Sequence, residues 1–512
     1  MSGAIVIGAG HNGLVAGILL ARAGRKVTVV EQRDDVGGLC TATELHPGYT
    51  VPGVLHDTTG VRRNVVDALE LARFGLRFQS EAPSVLAAHS QRRGAVLHAD
   101  PARSRDELEA LHKGDGDGYA AWRGFLSRVR GFVARVLSER PPPMRPSSLA
   151  EFWSVGKTGL ALRRLGKPDM LELMRVAPMC AADWLQEYFG DPLLPAALAA
   201  PAVTGAFLGP WAAGSAASLL LYESVRGPEV KGGPAALSEA LRKAFDTAGG
   251  QIRLGARVSQ ILVARGAVAG VRLSDGQTLE APVVLATCDP KQALLGLLEP
   301  GSLPLQIEEQ VAVVRMRGTT AKVNLALDGL ISFRGRDGER HARAVVADDV
   351  DEIERAFDAA KYRTCSKRPH LDVSVPSVGD ASLAPAGKDV VSILAHFAPH
   401  DLEGGWTDQA KASFGDAVVE VLESAAPGTR SRILAREVLS PVDLEERYGL
   451  TGGHIFHGEH ALDQLLFMRP TPALARYRTP IEGLYLGGSG SHPSGGVTCQ
   501  PGALAAREIL DS

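Results

Sequence analysis

The residues best placed to do chemistry stand near the start of the chain: Gly8, Gly10, Gly13, Glu31, Gly37 and Gly38. In Gly8-Ala9-Gly10-His11-Asn12-Gly13 the first glycine permits a tight turn and the second lets backbone approach a ligand closely. The third lets a following helix pack against a sheet. N–H groups left free at that helix start attract anions, helped by the macrodipole. Glu31, eighteen residues after Gly13, can accept both hydroxyl protons of a ribose and would repel a 2′-phosphate. The glycine pair Gly37-Gly38 can bring a second backbone segment to the same pyrophosphate. The spacing predicts a dinucleotide site.

The elements that must position these residues are legible around them. Ala4-Ile5-Val6-Ile7 is an apolar, β-branched run that reads as a buried parallel strand. Leu14 to Ala23 reads as a helix stopped by Gly24, and Lys26 to Val30 as a second strand ending on Glu31. Gly17 adds a further glycine to the helix face.

Glu31-Gln32-Arg33-Asp34-Asp35-Val36-Gly37-Gly38 resembles the extended FAD signature of the amine oxidase and phytoene desaturase superfamily. Leu39 stands where many members carry arginine. A second block, from Gly232-Gly233-Pro234 to Ala286-Thr287-Cys288-Asp289-Pro290, is similar to that superfamily's second FAD segment. The resemblance implies a backbone contact of Val258 with the adenine. The third block runs from Ile481 to Gly490 and on through His492-Pro493-Ser494-Gly495-Gly496-Val497 into a helix from about Pro501 to Leu510. It resembles the C-terminal FAD motif, and implies contacts from Gly488, Ser489, Gly490, Gly496 and Val497 to the ribityl, pyrophosphate and ring edge. Ser489 replaces the Asp found in other flavoproteins. The likeness is closest to phytoene dehydrogenase-related FAD oxidoreductases.

Composition is compatible with this class. The chain has 512 residues, 45% hydrophobic and 22% charged, with net charge −3, so two or three domains are expected and no nucleic-acid partner. Cys40, Cys180, Cys288, Cys365 and Cys499 form no CxxC pair, which argues against a zinc site, a disulfide scaffold or a redox disulfide. No metal site is expected. Cysteine-attached flavin in amine oxidases belongs to a different local pattern from that around Cys499, so FAD is expected to be noncovalent. The first strand begins at residue 4, leaving no leader ahead of it, and the expected location is cytoplasmic.

The expected class is α/β: a discontinuous Rossmann-type FAD-binding domain plus a mixed-sheet and helical substrate domain. FAD-binding segments are expected at 1–80, 225–290 and 471–512, and substrate-domain segments at 81–224 (helical) and 291–470. Trp122 to Leu137 has helical apolar spacing, and residues 119–175 hold eleven Lys or Arg against four Asp or Glu. That stretch reads either as a solvated face or as a surface resting peripherally on an anionic membrane. Residues 192–222 carry no charged side chain, but Pro192, Pro195, Pro201 and Pro210 break them into pieces too short to span a bilayer. They read as buried helices lining an apolar substrate cavity. Strands are expected at Thr319–Leu327, Tyr362–Pro376 and Val390–Phe397.

Three further residues are candidates for catalysis. Lys322 lies in a strand where the resemblance implies a lysine holding a water near flavin N5; an ordinary strand lysine is the alternative. His454 and His457, in Gly452-Gly453-His454-Ile455-Phe456-His457-Gly458, are read either as flanking the flavin or substrate or as hydrogen-bonded structural groups. His56 and Asp57 are read as loop residues. The function implied is FAD-dependent dehydrogenation of a small apolar, isoprenoid or lipid-like substrate, with oxygen, a quinone or another carrier as acceptor. Amine oxidation, redox-neutral isomerisation and a non-enzymatic, FAD-stabilised interaction protein are the alternatives.

Overall fold

The structure, a computed structural model, describes residues 3–512 apart from 144, 145, 147, 148 and 494, and omits the side chains of 150 and 154. Ser494 of the C-terminal motif therefore lies outside the described residues.

Two sheets organise the chain. The first is parallel, with spatial order Leu484–Leu486, Val283–Ala286, Ala4–Ile7, Val27–Val30 and Gln251–Arg253. Three stretches distant in sequence thus build one sheet, and its central strand Ala4–Ile7 is buried along its whole length. Parallel strands covered on both faces need such continuous apolar runs. The helix His11–Arg22 packs through Gly17 against helix Gly233–Thr247, where a Cβ would come within 2.7 Å of the Phe245 ring. The C-terminal helix Gln500–Leu510 lies against the first helix, and a Cβ at Gly502 would sit 2.1 Å from the Asn12 carbonyl oxygen.

The second sheet has seven strands, ordered Ile433–Leu439, Thr320–Leu327, Asp389–His396, His370–Ser374, Arg343–Val346, Val85–Ala88 and Ala95–Leu97. All its pairings are antiparallel except that of Arg343–Val346 with Val85–Ala88. Helices Asp115–Ser138, Leu193–Leu198 and Ser215–Val225 pack beside it around the buried Trp122 and Trp184, whose rings are 6.0 Å apart. The strand expected from Tyr362 begins only at His370. An Asp349-capped helix, Val350–Lys361, ends just before Tyr362, and residues 362–369 form a turn and irregular backbone that passes through Arg363 at φ 59°.

Candidate functional site: a dinucleotide cleft joined to a buried chamber

The turn after the first strand is built by close approach. A Cβ on Gly13 would lie 2.0 Å from the Gly8 carbonyl oxygen, and one on Gly8 (φ 101°) would lie 2.6 Å from Thr287 Oγ1. Gly10 differs: among the described residues, its own chain neighbours and helix backbone aside, nothing lies within 4 Å of where its Cβ would be. The space over Gly10 belongs to a cleft with about 950 Å³ of empty volume. The helix that starts there has no side-chain cap and no acid in its first turn, so its N–H groups and dipole are available to an anion.

Glu31 is buried at the end of the second strand. Its Oε2 accepts the Ala9 N–H at 2.8 Å and its Oε1 accepts the Arg33 N–H at 3.1 Å. These bonds fix the carboxylate and leave each oxygen a lone pair. Arg33 donates to the Gly38 carbonyl at 3.1 Å and covers the Tyr448 ring, 4.7 Å from its centroid. Gly37 (φ 110°) donates to the Ala9 carbonyl at 2.9 Å, which fastens the second glycine segment alongside the first.

The cleft is lined by twelve of the residues singled out in the sequence: Gly8, Gly10, Gly13, Glu31, Gln32, Arg33, Gly37, Gly38, Leu39, Val258, His457 and Ser489. Gly488 and Gly490 flank Ser489 in tight contacts with the Thr287 carbonyl and Pro290. Gly496 and Val497 border a second, adjoining cavity instead. Among the described residues His11 Nε2 and His457 Nδ1 are buried without a hydrogen-bond partner, and both residues line the cleft. Burial holds both imidazoles below their ordinary pKa, His11 at about 4. An open cradle over Gly10, an anchored carboxylate and unpartnered buried polar atoms fit a dinucleotide that completes the site.

His454 lines neither cavity. Its Nδ1 accepts the N–H groups of Phe456 at 3.2 Å and Gly458 at 3.3 Å, and so shapes the loop that presents His457. Arg469 holds the same loop from behind. Its fully buried guanidinium donates to the carbonyls of Phe456 (2.5 Å), Gly458 (3.1 Å), Gln464 (3.1 Å) and Glu459 (3.3 Å), and to that of Ser489 at 3.0 and 3.1 Å. Burial lowers its pKa to about 9. No local sequence signal marks this arginine.

The second cavity has about 1410 Å³ of empty volume and shares Leu55 with the cleft. Ala197, Leu198, Pro201, Thr204 and Leu221, from the charge-free stretch, form part of its wall. One side is polar: His56, Asp57, Tyr222, Arg343 and Asp372 all reach it. Tyr222 donates to Asp57 Oδ2 at 2.7 Å and the Thr59 N–H to Oδ1 at 2.8 Å. Burial opposes ionisation of Asp57, but Arg343 and these two donors outweigh it and hold the carboxyl below its ordinary pKa.

Lys322 does not line the chamber. Its fully buried Nζ lies 3.2 Å from His56 Nδ1, and His56 Nε2 lies 3.3 Å from Asp372 Oδ2. His56 and Asp57, read from sequence as loop residues, thus stand at the chamber wall, while Lys322 stands behind it. The partners of His56 are hundreds of residues away and Tyr222 is 165 residues from Asp57, so no local pattern could have announced the arrangement.

Residues 13–508 match the family described as flavin containing amine oxidoreductase. The chain belongs to that family. Pyridine nucleotide-disulfide oxidoreductase domain-containing protein 2 of Mus musculus is 32% identical over 542 residues, spanning 99% of this chain and 93% of that protein. The 4,4'-diapophytoene desaturase (4,4'-diapolycopene-forming) of a Methylomonas species is 24% identical, spanning 96% of this chain and 92% of its own. Among solved structures, cyclohexylamine oxidase from Brevibacterium oxydans superposes with a TM-score of 0.57 at 16% identity, covering 100% of both chains. The protein is an FAD-dependent oxidoreductase of the amine oxidase and phytoene desaturase superfamily, which takes a small substrate and passes electrons to an acceptor. Among the described residues no helix is long and apolar enough to cross a membrane, and no cluster of three metal-ligating side chains occurs.

Proposed function

We propose that this oxidoreductase dehydrogenates a carbon–carbon bond in a largely apolar substrate. The observation that supports this reading is the chamber meeting the FAD cleft at Leu55, with one wall drawn from the charge-free stretch 192–222. An apolar wall orients a chain by excluding water rather than by specific polar contacts. FAD supplies the hydride acceptor of the reaction. Protein residues supply the rest: Leu55 and Val497 at the chamber wall hold substrate carbon, and the polar side offers carboxylates to the departing proton. Asp57 is ionised at neutral pH, and His56 is neutral there because burial, Lys322 and Arg343 lower its pKa to about 4.

One observation favours amine oxidation as a second reading: the Asp57 carboxylate in the chamber wall could hold an ammonium group. The test is anaerobic mixing of the FAD-loaded protein with isoprenoid hydrocarbons, long-chain acyl compounds and alkyl amines. Flavin bleaching is followed, with product identification by mass spectrometry. Bleaching by an apolar chain with a new double bond is the expected result. Bleaching by amines alone would transfer the assignment to C–N oxidation, and no bleaching by any compound would overturn both.

A further inference from the structure

Three arginines line the chamber: Arg62, Arg226 and Arg343. Two of them are matched by carboxylates. Arg226 pairs with Glu223 at 3.0 Å, and Arg343 lies 3.5 Å from Asp372 and 3.6 Å from Glu229. The chamber's acids are occupied in turn: Glu223 also receives Arg123 at 2.7 Å, Asp57 receives Tyr222 and Thr59, and Asp372 meets His56.

Arg62 is the exception. Among the described residues its guanidinium has no ion-pair or hydrogen-bond partner, and its Nε is buried. Burial, and next the neighbouring cation Arg130, lower its pKa to about 10. The segment that carries it is fixed, since the Arg62 N–H donates to the Thr498 carbonyl at 3.1 Å. Thr498 lines the same chamber. A guanidinium that is largely, though not fully, taken out of water and has no counter-charge is costly unless something pairs with it. In a substrate chamber that something is a ligand, and a guanidinium fork suits an oxyanion.

We propose that Arg62 binds the anionic group, a carboxylate or a phosphate, of an amphipathic substrate whose apolar chain occupies the remainder of the chamber. This rests on the reading of the chamber as an apolar substrate site, and names the class of substrate it takes. Arg130, on the exposed face of helix Asp115–Ser138, adds positive charge nearby. It extends the field an approaching anion meets.

The test is titration of the FAD-loaded protein with four twelve-carbon probes below their micellar concentrations: laurate, dodecyl phosphate, dodecanol and dodecylamine. Binding is read from the perturbed flavin absorption spectrum and by calorimetry. At least one anion should bind about tenfold or more tightly than dodecanol, the scale of one charge-assisted hydrogen bond. The better anion identifies the head group. Arg62→Gln should abolish that preference while leaving dodecanol binding and flavin content unchanged, and Arg62→Lys should restore part of it. Equal binding of dodecanol and both anions would overturn the role of Arg62 but leave an apolar-chain chamber standing. So would an anion preference that survives in Arg62→Gln. Tighter binding of dodecylamine would overturn it in favour of a cationic substrate, and no binding of any probe would overturn both readings.

Discussion

Lys322 Nζ sits 3.2 Å from His56 Nδ1, and both side chains are buried between the seven-stranded sheet and the chamber. Burial is the largest influence on the lysine and, with Arg343 opposing its charge, outweighs attraction from Asp372 and Glu437. Its pKa falls to about 7. An amine with that pKa is largely neutral in mildly alkaline solution and charged in acid.

The pH dependence of stability follows from this shift. Between pH 7 and about 10.5 the unfolded chain keeps a proton on Lys322 that the native protein has released, so stability rises with pH across that window. Below pH 7 both states are protonated and the burial penalty is constant. In Lys322→Met this contribution vanishes. Denaturant titrations at several pH values should therefore show wild type gaining on the variant from pH 7 to pH 10. A difference independent of pH throughout would show that the lysine is charged in both states.

The two glycines of the first turn should fail in different ways. A methyl at Gly13 meets the Gly8 carbonyl oxygen at 2.0 Å, and backbone cannot step aside, so Gly13→Ala should lower the yield of folded protein. At Gly10 the methyl enters open cleft. Gly10→Ala should fold with the circular dichroism and melting behaviour of wild-type apoprotein and yet bind FAD at least about tenfold more weakly, a loss of about 1.4 kcal/mol. Equal flavin content in Gly10→Ala and wild type would place the pyrophosphate elsewhere.

Legibility in the sequence followed the range of the interactions. The glycine turn, Glu31 and the first two strands are specified within about thirty residues, and residue type and period reveal them. The resemblance supplied Val258 and the C-terminal loop, which reach the cleft beside Gly10 only after long excursions of chain. His56 and Asp372 are 316 residues apart, and Lys322 and His56 are 266 apart. Pairings at such separations depend on the register of the seven-stranded sheet, which single-sequence periodicity does not determine. The late start of the strand at His370 has a similar origin. Residues 362–369 instead form the turn that leaves the helix Val350–Lys361, through Arg363 in the left-handed region, a tertiary outcome that β propensity alone misjudges.

The helices beyond Ser138 present apolar side chains to solvent. Leu149, Phe152 and Trp153 are 90%, 58% and 67% exposed, and Leu171 and Met174 stand on the next helix. Lys157, Arg163, Arg164 and Lys167 lie among them. Apolar side chains interspersed with cations match an interfacial surface. The protein should sediment with vesicles containing phosphatidylglycerol, less with neutral vesicles, and less at high salt, where charge attraction is screened. The pair Phe152→Ser and Trp153→Ser should reduce sedimentation without changing flavin content. Failure of wild type to sediment with anionic vesicles would return this face to ordinary solvent exposure.

Arg469 offers the sharpest separation between folding and cofactor retention. Its guanidinium joins the loop carrying His457 to the carbonyl of Ser489, so one side chain ties two walls of the FAD cleft together. Arg469→Met preserves much of the apolar stem but leaves five buried carbonyls without their donor. Each buried, unsatisfied group costs about 1–3 kcal/mol before relaxation or water entry offsets it, so a net loss on the order of 3 kcal/mol is expected. Because the loss is concentrated at the cleft, FAD should leave the variant during heating before the fold melts, whereas wild type should lose both together. Flavin fluorescence and far-ultraviolet circular dichroism recorded on one sample separate the two events. Coincident transitions in the variant would show that Arg469 stabilises the whole fold without any special hold on the cofactor.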